Sequence, residues 1–464
     1  MNAKELKEEL EYKNRSAFES ISEDELERSF AYAESYKLFL DNCKTEREAV
    51  KYSVAMAKRR GYTEYRLGYD IAVGGKYYYN NRGKQLVVFR VGEEPLENGA
   101  YIMAAHIDSP RLDLKQNPLY EDSGLGLFKT HYYGGIKKYQ WTAVPLALHG
   151  IVMKSDGTSV DICIGEDEDE PIFYVSDLLP HLAKDQMSKS LAEGITGEGL
   201  NIIVGSEPYR EEETDGAIKL NLLRILNEKY GMCEEDFLSA ELTAVPAMHA
   251  RDIGLDRSLI AGYGHDDRVC AYSELTALLD SNDTVKTVFA VLADKEETGS
   301  DGNTGVSGMQ SELFADILAE VCEAKGANYR VVKANSKCLS ADVNAAYDPN
   351  FPDVLEKKNA CYANCGVVLS KFTGARGKSG TSDATSEFTA YVRSFLNKNG
   401  VVWQMAELGK VDQGGGGTVA KFIANMNIDT IDVGVPVISM HAPYEAISKL
   451  DLYMTYKAFC AFIG

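Results

Sequence analysis

The sequence predicts an α/β fold in which a mixed sheet is flanked by helices and interrupted by an inserted β-rich segment. Apolar runs of strand length, residues 100–105 and 287–293, are typical of strands buried on both faces. Residues 112–250 differ, because short alternating runs there are separated by turn-like tetrads. We therefore expect a discontinuous domain, residues 1–111 with 251–464, around an inserted domain of residues 112–250.

Composition and charge exclude several classes of protein. The 464 residues leave room for two or three domains, and 49 Lys and Arg against 70 Asp and Glu give a net charge of −21. Such a surface repels nucleic acid and anionic membranes. No segment approaches the ~20 apolar residues of a membrane span. Nine cysteines without a CxxC pair, with Cys361 and Cys365 as buried thiols, favour a cytoplasmic protein.

Two capping boxes predict the first helices. Residues 22–25 and 45–48 carry Ser or Thr three positions before Glu, the spacing that satisfies free backbone N–H groups at a helix start. We expect these helices to end near Asn42 and Arg60. Residues 77–91 then predict a hairpin.

The inserted segment contains turn signals, an acidic run and most of the histidines. Tyr132-Tyr133-Gly134-Gly135 is turn-like, and the acidic run at 166–170 is typical of a solvated loop. Composition alone does not distinguish among its histidines, which are His131, His149, His181 and His249.

The pair Glu296-Glu297 follows the apolar run 287–293 after Asp294 and Lys295. Open α/β sheets bind ligands at the carboxyl edge of their strands. Two adjacent carboxylates repel each other there unless a cation or a shared proton holds them. A solvated loop is the plainer interpretation of the pair alone, and the residues described next favour a site. The glycine-rich stretch 302–308 precedes a helix expected over 311–325, and it lacks the Lys-Ser or Lys-Thr of a phosphate loop.

Two further polar groups lie at strand or helix ends. His106 and Asp108 follow the run 100–105, and residues i and i+2 of an extended chain point to the same side. They suit a metal-ligating histidine beside an orienting carboxylate, or a polar pair without a ligand. Asp266 precedes a helix expected over 271–279, where it can bridge two cations or cap the helix.

Asp342 and His441 complete the set. Asp342 follows the short segment 334–339, and His441 ends the buried-type strand 431–440. We expect that strand to lie in one sheet with those ending at His106 and Glu297. A final helix is expected from about 448 to 462.

Together these residues predict a site for two metal ions. Zn, Mn and Co prefer histidine and carboxylate ligands, and two ions ~3.5–4 Å apart hold a hydroxide and polarise a carbonyl oxygen. Glu296 then remains as a general base for that water. No cysteine belongs to the set, which argues against a closed structural zinc site. The predicted ligands are His106, Asp266, Glu297, Asp342 and His441.

The chain resembles the aspartyl aminopeptidase (aminopeptidase I) family of metallopeptidases. Five motifs carry this resemblance in the order of the family and cover nearly the whole chain: Ala105-His106-Ile107-Asp108-Ser109-Pro110, Asp266-Asp267-Arg268, Asp294-Lys295-Glu296-Glu297-Thr298-Gly299-Ser300, Ser340-Ala341-Asp342 and Ser439-Met440-His441-Ala442-Pro443-Tyr444-Glu445.

The resemblance implies a zinc exopeptidase-like fold and an activity. Peptides with a free amino terminus lose their first residue to a metal-bridged water, two zinc ions bind the five ligands, and Asp266 bridges them. Asp108 orients the site, and Glu296 activates the water. The inserted domain forms dimers that assemble into a tetrahedral dodecamer, and His181, in a family-like segment, reaches the active site of a neighbouring subunit.

Two departures concern specificity. Ala420 ends a segment, 416–420, that the family closes with glycine. The segment 374–380 does not align cleanly, although Arg376 or Lys378 can supply the basic residue that acid-specific members carry. A preference for acidic amino-terminal residues is therefore one expectation, and neutral or basic residues are the others.

Two other functions remain open from the sequence. One is a glutamyl-type or broad-specificity aminopeptidase of the related tetrahedral family, against which the long insertion argues. The other is a non-catalytic acidic scaffold of the same fold, against which the retention of Glu296 argues.

Overall fold

The computed structural model describes residues 2–211, 215–304 and 312–464. Helices and a hairpin open the chain, and the hairpin strands belong to the same sheet as β4. Ser22 Oγ accepts the amide N–H of Glu25 at 3.3 Å, and Thr45 with Glu48 forms a complete capping box. Both predicted helices and the hairpin are confirmed. The elements are α1 (Ala3–Leu10), α2 (Glu23–Asn42), α3 (Glu46–Arg59), β1 (Thr63–Glu64), β2 (Lys76–Asn81), β3 (Gln85–Arg90) and β4 (Tyr101–His106).

The middle of the chain forms an antiparallel sheet of seven strands, in the order β8-β7-β11-β5-β6-β10-β9. Its apolar side packs around Trp141. Tyr132 and Tyr133 end β6 rather than forming a turn, and the turn follows at Gly134. The elements are β5 (Arg111–Asp122), β6 (Leu125–Tyr133), β7 (Leu146–Met153), β8 (Ser159–Ile164), β9 (Tyr174–Val175), α4 (Lys184–Met187), α5 (Leu191–Gly194), β10 (Ile202–Gly205), α6 (Ala217–Tyr230) and β11 (Ala240–Pro246).

The remainder of the chain alternates strands and helices. The expected helix at 311–325 is present from Leu313, whereas Ser311 and the predicted glycine stretch beyond Thr304 lie outside the described residues. The elements are β12 (Arg251–Ile253), β13 (Leu259–Gly262), α7 (His265–Asp280), β14 (Val288–Ala293), α8 (Leu313–Lys325), α9 (Tyr329–Asn335), β15 (Lys337–Ala341), β16 (Asn344–Ala345), β17 (Val367–Ser370), α10 (Ser386–Lys398), β18 (Trp403–Met405), β19 (Gly409–Lys410), β20 (Gln413–Gly414), α11 (Ala420–Ala424), β21 (Asp429–Gly434), β22 (Pro436–Ile438), β23 (Glu445–Ser448) and α12 (Lys449–Ile463).

A mixed sheet of nine strands, β1-β2-β3-β14-β4-β15-β21-β17-β18, forms the centre of the α/β fold. Its four central strands, β14, β4, β15 and β21, run parallel. Met103 and Ala105 of β4 pack in the same apolar cluster as α2, α3, α7 and α12. Ile102 and Ala104, on the other face, pack with α8 and α9. Helices therefore cover both faces, as the continuous apolar runs predict.

The expected strand 431–440 is wrong as a single element. Its first part, β21, belongs to the nine-stranded sheet, whereas β22 pairs with β16 and β23 in a five-stranded sheet. The chain changes sheets at Val435, between Gly434 and Pro436. Gly434 packs so closely on the backbone of Asp342 that a Cβ would overlap its carbonyl oxygen. His441 therefore follows a strand of the second sheet.

Ion pairs connect the seven-stranded sheet to the start of α3. His149 Nδ1 lies 2.7 Å from Glu48 Oε1, and its Nε2 lies 2.9 Å from Glu166 Oε1. Arg111 Nη1 donates to Glu46 Oε2 at 2.9 Å. Glu166 is thus partly buried and paired, so the expectation of a wholly solvated acidic run is wrong at that residue. Within the described chain, no helix has the length and apolarity needed to span a membrane.

Candidate metal centre

The five predicted ligands converge beside the carboxyl edge of the nine-stranded sheet. Parallel strands bring their carboxyl ends together at one edge, and Ala293 of β14 lies in register with His106 of β4. His106 is the last residue of β4, Glu297 follows β14, and Asp342 follows β15. Asp266 lies at the start of α7, where its backbone and that of Asp267 are not helical, and the peptide bond between these two residues is cis. His441 lies in the turn between β22 and β23.

Asp266 lies between the two histidines. Its Oδ1 is 3.2 Å from His106 Nε2, and its Oδ2 is 3.3 Å from His441 Nε2. Glu297 Oε2 lies 3.4 Å from the same nitrogen of His441. Ligand atoms of His106, Glu296 and Asp342 also come within 4.8 Å of one another. Each carboxylate oxygen of Asp266 therefore faces a different group, as a bridging ligand requires.

Both histidines are oriented through their Nδ1 atoms. His106 Nδ1 is 3.0 Å from the carbonyl oxygen of Asp108, and His441 Nδ1 is 2.7 Å from that of Gly135. Because a carbonyl only accepts, each Nδ1 carries the donated proton. Metal-binding histidines are commonly held this way. In both residues Nε2 is consequently the atom aimed at Asp266.

Asp108 is fully buried and holds the loop that carries the two glutamates. Its Oδ1 accepts the amide of Glu296 and its Oδ2 the amide of Glu297, each at 3.2 Å. Oδ2 also accepts the hydroxyl of Tyr133 at 2.7 Å. This geometry suits an orienting carboxylate. Asp108 holds the backbone of the two glutamates as well as His106.

Glu445 is a further site residue whose role the sequence did not reveal. Its Oε1 accepts the amide of His441 at 2.7 Å, and its Oε2 accepts the amide of Asp266 at 3.1 Å. The side chain is buried and joins two loops that are distant in sequence. Its only signal was its place in the last of the five motifs. Tyr133 and Gly135 gave no such signal, because a strand end and a turn explain them equally well.

The electrostatics of the cluster fit divalent cations. Burial raises the pKa of Glu296 to about 7 and the pKa values of Glu297 and Asp342 well above their usual range. Burial opposes protonation of His441, yet the carboxylates of Asp266 and Glu297 raise its pKa to about 10. The buried Oε1 of Glu297 has no hydrogen-bond partner among the described residues. Divalent cations would supply the positive charge that these carboxylates otherwise take from protons.

A cavity of about 350 Å³ opens onto this cluster. Its apolar wall includes Val343, Leu408 and Met440, and a buried carboxylate, Asp432, lies in the same wall. Among the described residues that line it, none is Lys or Arg. A larger cavity of about 620 Å³ near His249 contains none of the predicted ligands.

Three predicted residues lie away from the cavity wall. His181 is exposed on the segment between β9 and α4. Lys378 Nζ pairs with Asp383 Oδ2 at 3.2 Å and lies 3.8 Å from the centre of the Phe372 ring. Arg376 is not among the residues that line the cavity.

The chain is similar to known proteins over almost its whole length. Residues 39–463 match the family model described as aminopeptidase I zinc metalloprotease (M18). The chain is 50% identical over 463 residues to the "Probable M18 family aminopeptidase 1" of Clostridium acetobutylicum, covering 98% of both chains.

Solved structures give the same result for the fold. The crystal structure of an M18 aminopeptidase from Thermotoga maritima superposes with a TM-score of 0.92 at 44% identity, covering 98% of this chain and 99% of that one. The mApe1 dodecamer of S. cerevisiae shares the fold, with a TM-score of 0.75 at 22% identity over 93% of this chain and 96% of that one. The resemblance carried by the five motifs and the α/β fold class are thereby confirmed. The chain belongs to the M18 family of aminopeptidase I zinc metalloproteases, and it is a hydrolase that acts on peptides.

Proposed function

We propose that this protein removes the amino-terminal residue of peptides in the cytoplasm with two divalent metal ions. The observation that carries this proposal is the position of Asp266, whose two oxygens each face the Nε2 atom of a different histidine. A single structural ion would not need a carboxylate shared in this way. A chain with a net charge of −21 is also poorly suited to polyanionic substrates.

The distances support one division of the ligands. His441 Nε2 lies beside both Asp266 Oδ2 and Glu297 Oε2. His106 Nε2 lies beside Asp266 Oδ1, and ligand atoms of Asp342 and Glu296 are close to those of His106. Zinc suits this donor set, and manganese or cobalt suits it too. When bound, the ions lower the pKa of water and polarise the scissile carbonyl. Asp266 serves both positions, so it is the ligand on which the pair depends.

Glu296 is the proposed general base. Its Oε2 lies 4.0 Å from His106 Nε2 and lines the cavity, while the adjacent Glu297 points to His441. Asp108 holds the amides of both residues, and their side chains have different histidine neighbours, His106 for Glu296 and His441 for Glu297. Glu296 can therefore take a proton from the attacking water and return it to the leaving amine.

Exchanging each glutamate for glutamine tests this assignment. Glu296→Gln keeps the shape of the side chain and removes the base, so metal content should remain while kcat falls by ~10²–10⁴-fold. Glu297→Gln should instead weaken metal binding, because it removes a ligand charge. Metal analysis and steady-state kinetics on both variants measure these effects. If Glu296→Gln loses metal while Glu297→Gln retains it, the two roles are exchanged.

The cavity wall favours neutral amino-terminal residues over acidic ones. Val343, Leu408 and Met440 offer apolar contacts. Burial raises the pKa of Asp432 to about 7, although the hydroxyls of Thr418 and Ser340 lower it, so the ionised form that repels a carboxylate substrate predominates only above that pH. We expect kcat/KM for Leu or Met substrates to exceed that for Asp or Glu by ~10-fold or more. Values of kcat/KM for a panel of aminoacyl p-nitroanilides test this expected preference. Faster hydrolysis of Asp or Glu substrates would favour Arg376 or Lys378 as the specificity residue, and Lys378→Met would then identify which.

We also propose that residues 112–250 form a dimerisation domain from which a tetrahedral dodecamer is built. Five large apolar side chains are more than half exposed from the end of β9 to the first residue of α5, namely Leu178, Leu179, Leu182, Met187 and Leu191. Apolar area of this kind is buried in subunit contacts. His181 lies among them, where it can reach the active site of a neighbouring subunit. The dodecamer of yeast mApe1 supports the same assembly.

A further inference from the structure

We propose that the segment Tyr133-Gly134-Gly135, at the carboxyl end of strand β6 in the seven-stranded sheet, positions the ligands of the metal centre. The inference rests on the proposed two-metal site and adds residues to it that bind neither metal nor substrate. The sequence alone indicated only a turn at this segment. Each of its residues contacts a different part of the metal centre, by a hydroxyl, by close packing and by a backbone carbonyl.

Tyr133 fixes the rotation of the Asp108 carboxylate. Its hydroxyl donates to Asp108 Oδ2 at 2.7 Å, and the guanidinium of Arg111 lies 4.0 Å from the centre of its ring. Arg111 is itself held by Glu46 at 2.9 Å and Asp113 at 2.8 Å. The Tyr133 ring is therefore held against the guanidinium of Arg111, while its hydroxyl points at the Asp108 carboxylate.

The rotation of Asp108 matters because each of its oxygens holds a different amide. Oδ1 accepts the amide of Glu296, and Oδ2 accepts that of Glu297. If the carboxylate turned, one of these hydrogen bonds would lengthen, and the side chains of both glutamates would move with the loop. Partners of this kind typically change metal affinity or activity by about 10–100-fold.

Gly134 and Gly135 act on the other side of the site. Gly134 has φ +74°, and a Cβ there would lie 3.3 Å from Pro110 Cγ and 3.4 Å from Glu297 Cβ. Gly135 presents its carbonyl oxygen to His441 Nδ1 at 2.7 Å. That hydrogen bond sets the tautomer of His441 and directs its Nε2 toward Asp266. One short segment therefore contacts the surroundings of both His441 and the glutamate pair.

The first test removes one hydroxyl. Tyr133→Phe keeps the ring over Arg111, and Tyr132→Phe is the matched control, because Tyr132 is the preceding residue and is 42% exposed. Titration of the metal-free protein with Co²⁺ should show affinity lower by about 10-fold for Tyr133→Phe, with a changed visible absorption spectrum. We expect kcat lower by about 10–100-fold and KM within about twofold of the parent. Tyr132→Phe should match the parent in every measurement.

The second test adds one methyl group at a glycine. Gly134→Ala is compared with Gly124→Ala, which has a similar φ of +82° in the β5–β6 turn and open space around its Cβ. Both variants carry the strain of a left-handed residue, so any loss of thermal stability should be similar. Only Gly134→Ala should lower the affinity for Co²⁺ and change its absorption spectrum, because only its methyl group meets Glu297.

These outcomes separate the inference from the function on which it rests. Unchanged Co²⁺ affinity and spectrum in Tyr133→Phe would overturn the inference even if the parent is an active aminopeptidase. So would a Tyr133→Phe variant that loses only thermal stability. A parent protein that binds two metal ions without hydrolysing any aminoacyl substrate would instead overturn the proposed function, while the metal titrations would still decide the role of Tyr133.

Discussion

Asp266 and Glu274 both belong to α7, and their buried carboxylates are in opposite electrostatic environments. Asp266 is surrounded by two histidines, which hold its pKa below its usual range although burial alone would raise it. Glu274 is fully buried, and in the part of the chain that the structure describes neither of its oxygens has a hydrogen-bond partner. Burial, and then the nearby charge of Asp267, raises the pKa of Glu274 well above its usual range. The histidines therefore compensate the charge of Asp266, whereas the burial of Glu274 without a partner destabilises the folded state.

Replacing Glu274 with Met should stabilise the protein, and more so at higher pH. The folded-state pKa is raised above the unfolded value near 4.5. Glu274 therefore destabilises the fold increasingly as pH rises above that unfolded value, because the unfolded chain can ionise freely. We expect Glu274→Met to raise the free energy of unfolding by about 1–3 kcal/mol at neutral pH, and by less at pH 5. Denaturant unfolding at both values measures this, with exposed Glu323→Met as control. An equal or larger gain at pH 5 would contradict it.

Individual ligands could be predicted from the sequence better than the residues that support them. His106 and Glu297 follow uninterrupted apolar runs, and a polar residue at the end of a buried strand is a strong local signal. Tyr133 and Glu445 carry no such signal. Their functions come from contacts with residues far away in the chain, the hydroxyl of Tyr133 with Asp108 and the carboxylate of Glu445 with Asp266.

Helices and strands, too, are predictable where their signal is local and unpredictable where it depends on contacts with distant residues. Helices α2 and α3 were predicted to within a residue, because capping side chains mark where they begin. The division of one apolar run into β21 and β22 was missed. After Asp432, residues 433–438 include no polar side chain. Only the packing of Gly434 against Asp342 and the pairing of Pro436 with Asn344 reveal the change of sheet.

Adding a side chain at Gly434 should disturb the metal centre through the backbone of Asp342. A Cβ there would overlap the carbonyl oxygen of Asp342, so either β21 or Asp342 must move. We expect Gly434→Ala to cost about 1–3 kcal/mol of stability and to lower metal affinity. Gly377→Ala is the control, because its Cβ would meet nothing within 4 Å. Thermal unfolding with and without metal measures both effects. Equal behaviour of the two variants would show that Asp342 does not depend on this contact.

At the scale of the molecule, the exposed leucines between β9 and α5 predict association. Leu179 is 51% and Leu182 70% exposed, and each leucine that becomes buried contributes about 1.5–3 kcal/mol. Light scattering should give a particle mass that is a multiple of 51.1 kDa. The double variant Leu179→Asp, Leu182→Asp should give a smaller particle. Leu255→Asp should not, since Leu255 is fully exposed at the turn between β12 and β13. A monomeric parent at working concentration would contradict the proposed assembly.

The hydrogen bond between His441 and Gly135 joins residues 306 positions apart. The proposed ligands are similarly dispersed, from the end of β4 to the turn after β22, with the whole seven-stranded sheet between the first two. Contacts of such long range form late in folding, since the intervening chain must first be ordered. A growing polypeptide therefore has no metal pocket until β22 and β23 have been synthesised and have folded. An exopeptidase built in this order cannot trim other nascent chains, or its own amino terminus, during its own synthesis.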